Sequence, residues 1–177
     1  MAATRQYGPR VRTSFETRSR IAATRSRLRR RLPPELTAGI VRRAFHDDPD
    51  VYDRFLATLR GPIGTADIVL RGSAVTGESY RGHQPFDDDG PGTSDLDIAL
   101  VGGDAFRLWV PGGFYLWGVN TRPLSDKTRW VAPELDPARE AAQRLVGRPV
   151  NIQAMARWFL EMRAILQGQP HATLTER

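Results

Sequence analysis

The chain has 177 residues, 40% of them hydrophobic, a formal net charge of +6 and no cysteine. That length suits one domain, with or without an extension, and buries a substantial core. Disulfides and thiolate zinc sites are excluded, no run approaches the roughly 18 apolar residues of a membrane span, and the N-terminus lacks a secretory apolar stretch; the expectation is a cytoplasmic protein without a membrane partner.

The charge sits at one end. Residues 1 to 31 carry ten arginines against a single acid, Glu16, a balance of +9 that leaves −3 for the remainder. Such a segment suits sequence-independent contact with RNA, DNA or an acidic protein. A free tail, a helix lying on the chain's own acidic part and a transit peptide share that composition. Of 26 basic residues only Lys127 is a lysine, a bias that GC-rich coding explains, so single arginines are not read as phosphate contacts.

After an aperiodic start, residues 13 to 32 read as a helix capped by Thr13 or Ser14 and ended by Pro33-Pro34, with Phe15, Ile21, Ala22, Leu28 and Leu32 as a thin apolar stripe. This basic, helical N-terminal region, 1–32, precedes a domain expected over 33–177. Residues 35–45 place Leu36, Ile40, Val41, Ala44 and Phe45 on one helical face. Residues 49–60 do the same with Val51, Tyr52, Phe55, Leu56 and Leu59, Pro49 standing in the first turn behind Asp47 or Asp48.

Residues 66–72 read as a short buried strand, and Gly72-Ser73 as a turn into about one helical turn near 74–78. Residues 81–93, with three consecutive aspartates at 87, 88 and 89, read as loop, and 94–102 as the second strand. The stretch 104–120 is apolar but broken by Pro111-Gly112-Gly113. A helix from Pro137 to Val146, capped by Asp136 and closed near Gly147, leads to a third strand, 149–155. An amphipathic helix over 156–167 carries Trp158, Phe159, Met162, Ile165 and Leu166. Interleaved helices and strands give an α/β (α+β) class, a mixed sheet with flanking helices.

Chemistry is densest at Asp95-Leu96-Asp97. Side chains alternate along a strand, so both carboxylates share one face. Like charges that close favour a cation between them or a shared proton. Asn151 and Gln153 share a polar face of the third strand. Arg71 either holds a phosphate or pairs with an aspartate, and Asp87, Asp88 and Asp89 bind metal, touch substrate or form a solvated turn. His46, His83 and His171 have no ligand spacing, so no zinc is assigned, while His83 beside Arg81 is a candidate phosphate contact. Trp109, Trp117 and Trp130 read as core or lid, with base stacking as the alternative.

Gly72-Ser73 with Gly77 closing the loop, followed by Ser94-Asp95-Leu96-Asp97 and the apolar run 98–101, resembles the catalytic core of the nucleotidyltransferase superfamily that includes DNA polymerase β, minimal nucleotidyltransferases and antibiotic-modifying enzymes. The likeness covers about 66–102 and, weakly, 148–155. It implies a polymerase β-like core in which the catalytic Asp95 and Asp97 hold Mg2+ (or Mn2+), while Gly72, Ser73 and Arg71 receive the phosphates of a nucleoside triphosphate. The implied reaction moves a nucleoside monophosphate to a hydroxyl of RNA, such as tRNA, or of protein, releasing pyrophosphate. Small proteins resembling this family act as toxins, which implies a cognate antitoxin or regulatory protein as a partner.

Two features depart from the family. A third carboxylate on a later strand usually completes the site, and here that place reads Asn151, which carries no charge and is a poor base. Asp126, Glu134 and Asp136 are the reserves. Ser73 and Asp95 stand 22 positions apart, longer than the family's compact spacing, and His83 to Gly92 looks like the insertion. Asn151 supports a second reading, a catalytically inactive nucleotide- or RNA-binding regulatory module of the same fold. A third is a partner protein whose arginine-rich arm docks on an acidic protein.

Overall fold

A computed structural model describes residues 32–79, 82–102 and 104–175. The helix expected before Leu32, and Arg81, lie outside the described residues.

Helix α1 (Pro34–Ala44) and helix α2 (Pro49–Ile63) follow the expected periodicity, α2 running three residues further. Asp48 takes the N-cap of α2, its Oδ1 accepting from the amides of Asp50 (2.8 Å) and Val51 (3.2 Å). Val51, Phe55, Leu59 and Ile63 make the buried stripe, and Phe45 meets the Tyr52 and Phe55 rings edge-on, both at 5.1 Å between centroids. Burying one such Phe contributes about 1.5–3 kcal/mol, so the helix pair is a firm backing for the sheet.

The strands are β1 (Asp67–Arg71), β2 (Leu96–Val101), β3 (Phe114–Leu116), β4 (Asn120–Thr121), β5 (Val150–Met155) and β6 (His171–Thr173), in one mixed sheet ordered β3-β4-β5-β2-β1-β6. β1 runs antiparallel to β2 and β6, and β2 parallel to β5. A single turn of helix, α3 (Ser73–Thr76), follows β1, while α4 (Asp136–Val146) precedes β5 and α5 (Arg157–Gln167) follows it. The chain is therefore mixed α and β, with helices flanking a mixed sheet. No described helix is long and apolar enough to cross a membrane.

Alternation sorts the two sheet faces. Leu96, Ile98 and Leu100 join Ile68, Leu70 and Ile152 in the main core against α1, α2 and α4. Val69, Ala99, Val101 and Met155 look the other way, onto Leu160 of α5. That second face continues toward the start of β2 as Arg71, Asp97 and Asn151.

Three expectations are corrected. Asp136 does not cap α4: Leu135 holds the N-cap position, and the Asp136 carboxylate instead accepts from Arg139 (2.7 Å) and Arg129 (2.6 Å). In α5 the packed residues are Leu160 and Phe159, while Trp158, Ile165 and Leu166 are 59%, 81% and 73% exposed, because one helix over a narrow apolar strip buries only one of its edges. Strands β3, β4 and β6 were not anticipated, since two or three residues show no alternation and are held by their partners' ladders.

Candidate active site

Strand register builds the site. His171 on β6, Arg71 on β1, Asp97 on β2 and Asn151 on β5 stand abreast in one cross-strand row. Asp95 lies one residue before β2, where the Leu96 amide already pairs with the Pro149 carbonyl (2.8 Å), and Asn151 Nδ2 donates to Asp95 Oδ2. The Asp95 carboxyl remains solvent-accessible, yet its pKa is pushed above the ordinary value, first by partial desolvation at the strand mouth and then by the Asp97 charge. The Asn151 hydrogen bond and the Arg71 charge pull it down without prevailing.

The Gly72-Ser73 turn borders these carboxylates. Gly72 sits at φ +76°, a conformation that favours glycine, and a Cβ there would stand 3.9 Å from Asp97 Oδ2. Its own amide donates to the Pro170 carbonyl (3.0 Å), so the amides next in line are those of Ser73 and Ala74 at the start of α3. Arg43 from α1 steadies that turn by donating to the carbonyls of Ala74 (3.3 Å) and Val75 (2.5 Å).

Arg71 is 3% exposed. Its Nη2 donates to Gln153 Oε1 (2.8 Å), and Gln153 Nε2 in turn donates to the Thr121 carbonyl (2.8 Å). Because Gln153 lies on the far side of β2, the guanidinium crosses that strand and sits as a buried cation behind the two aspartates.

The triple-aspartate loop has a structural member. Asp87, at φ +63°, takes a two-pronged ion pair from Arg148 (2.9 and 3.0 Å) and accepts from the amides of Ser94 (2.9 Å) and Gly92 (3.1 Å). Burial alone would raise its carboxyl, but these bonds, led by Arg148, hold it below the ordinary range. Arg148 is 4% exposed and also lies over the Phe86 ring, 4.7 Å from its centroid. This clasp ties the loop to the root of β5 and sets the path of Ser94 into Asp95. Asp88 and Asp89 are exposed and line, with Ser73 and Ser94, a small pocket of about 120 Å³.

The reserve carboxylates lie elsewhere. Asp126 and Asp136 both pair with the fully buried Arg139, at 2.9 and 2.7 Å, and Glu134 is exposed in the turn before α4. His83 is exposed with Glu78 3.9 Å away, and His46 bonds the Val146 carbonyl at 2.9 Å. Trp109 is core, its Nε1 donating to the Arg122 carbonyl (3.1 Å), whereas Trp117 and Trp130 are 69% and 54% exposed. Among the described residues no group of three or more His, Asp or Glu side chains could hold a metal. A divalent ion would find two carboxylates here, the rest of its shell coming from water or ligand oxygens.

Sequence reasoning missed Arg148, Arg43 and the placement of His171. Each joins segments far apart in the chain, and no spacing marks such a residue. Comparison with protein-family models, curated proteins and solved structures returned no significant match.

Proposed function

We propose that the protein is a metal-dependent nucleotidyltransferase with a polymerase β-like core. The observation that carries this reading is the meeting of Asp95 and Asp97 with the Gly72 turn, against a buried arginine. The position of Asn151, beside Asp97 on the later strand, agrees with where the resembling family places its third carboxylate, although its amide departs from that family.

The donor set fits magnesium or manganese: two hard carboxylates on one face, one of them raised in pKa by partial desolvation and then by the other's charge, a charge conflict that a divalent cation relieves. Asp95 and Asp97 would hold the ion, which when bound supplies charge neutralisation at the α-phosphate. Ser73 and the first amides of α3 orient the phosphate tail, and Arg71 balances the aspartates from behind. An acceptor oxygen forms a bond to the α-phosphorus as the bond to the bridging oxygen of the β-phosphate breaks. Pyrophosphate leaves, and the hydroxyl proton passes to solvent, because the Asn151 amide cannot take it. The +9 balance of residues 1–31 favours an RNA acceptor, and the resemblance to the family implies toxin action in the cytoplasm as the biological setting.

The second reading, a nucleotide- or RNA-binding regulatory module without catalysis, is favoured by Asn151 alone. Calorimetry with a non-hydrolysable nucleoside triphosphate and magnesium tests the part the two share. Saturable binding that weakens at least tenfold in the Asp95→Ala, Asp97→Ala variant supports the site, and no binding to the wild type sinks the transferase and the nucleotide-binding form of the module.

A further inference from the structure

We infer that β6 supplies a phosphate contact: His171 donates a hydrogen bond to the terminal phosphates of a triphosphate whose α-phosphate lies at Asp95 and Asp97. This rests on the nucleotidyltransferase reading.

The main chain locks β6 to the phosphate turn. His171 pairs directly with Arg71, the residue before Gly72, and the Pro170 carbonyl takes the Gly72 amide at 3.0 Å. His171 therefore shares the sheet face of Arg71 and Asp97. Two strand spacings separate it from Asp97, roughly 10 Å, with Arg71 between them on the same face and the Gly72 turn following Arg71.

The chemistry of the row selects His171 for this role. Asp97 and Asp95 make one end acidic. Arg71 is buried and reaches away from β6, across β2 to Gln153, so it faces the aspartates rather than the open side. The His171 side chain is 21% exposed, open to a ligand yet held in place by its strand. Glu161 of α5 stands 3.8 Å from its Nε2, too far for a hydrogen bond. The charged groups next to His171 are Arg71 from β1 and Glu161 from α5. A ring N–H aimed at phosphate makes a charge-assisted bond, the kind that contributes most to affinity.

The test compares a nucleoside triphosphate with the matching monophosphate by calorimetry in magnesium. His171→Ala should weaken triphosphate binding about tenfold and leave monophosphate binding and the melting temperature unchanged. His171→Asn, which keeps a donor, should recover part of the loss and covers the case in which the alanine variant unfolds. Equal triphosphate affinity in wild type and His171→Ala, or equal losses for both nucleotides, overturns the inference. If the Asp95→Ala, Asp97→Ala variant loses the triphosphate while His171→Ala keeps it, only this inference falls; if the wild type binds neither nucleotide, the nucleotidyltransferase reading falls with it.

Discussion

Asp97 on β2 and Asn151 on β5 stand abreast in the parallel pair, and Asn151 turns its amide nitrogen onto Asp95, two residues before Asp97. Asn151 thus serves as a donor that eases a carboxylate pair, where a third acid would add to the repulsion. Asn151→Asp should lower the melting temperature in chelator and raise it above wild type in millimolar magnesium, because three carboxylates repel when empty and bind a divalent ion more tightly. Melting curves with and without magnesium check it, and a variant indifferent to the metal contradicts it.

The raised carboxyl of Asp95 has a defined consequence for stability. Between the ordinary carboxylate value and the raised one, the folded protein holds more protons than the unfolded chain, so stability falls as pH rises through that window. Asp95→Asn should therefore melt above the wild type at pH 7 in chelator, the difference closing below roughly pH 4. Thermal unfolding across pH measures it; a variant less stable than wild type at pH 7 contradicts the assigned cause.

Asp87 has the opposite sign. Its lowered carboxyl contributes stability that is present above the unfolded value and lost as pH falls through the folded one. Arg148→Met should cost about 2–3 kcal/mol at neutral pH, with a smaller loss in acid. The same variant should lose nucleotide affinity, because the clasp directs Ser94 into Asp95. Denaturant titration and calorimetry on one preparation read both effects.

Gly72→Ala forces a side chain into φ +76° beside the Asp97 carboxylate. The expected cost is about 1–2 kcal/mol of stability, together with weaker triphosphate binding. Far-ultraviolet circular dichroism should stay unchanged, which separates a local strain from loss of the sheet.

What was legible in the sequence had a period or a local marker. The stripe Val51, Phe55 and Leu59 and a cap at Asp47 or Asp48, of which the structure uses Asp48, announced α2, and the run 98–101 announced β2 behind Asp95 and Asp97. The remainder depends on partners remote in the chain. β6 exists through its ladder to β1, and Asp87 looked like a member of a solvated run until Arg148, 61 positions later, closed on it. Trp158, Ile165 and Leu166 show the opposite failure: a helical stripe of apolar residues was legible, but not how little sheet lay beneath it.

The central claim is transfer of a nucleotide, and the measurement that tests it most directly follows label from each α-labelled nucleoside triphosphate into total RNA or into protein, with magnesium or manganese. Label transferred by the wild type and lost in the Asp95→Ala, Asp97→Ala variant is the predicted result. Triphosphate binding without any transfer would contradict it and leave a binding module in which Asn151 replaces the catalytic carboxylate.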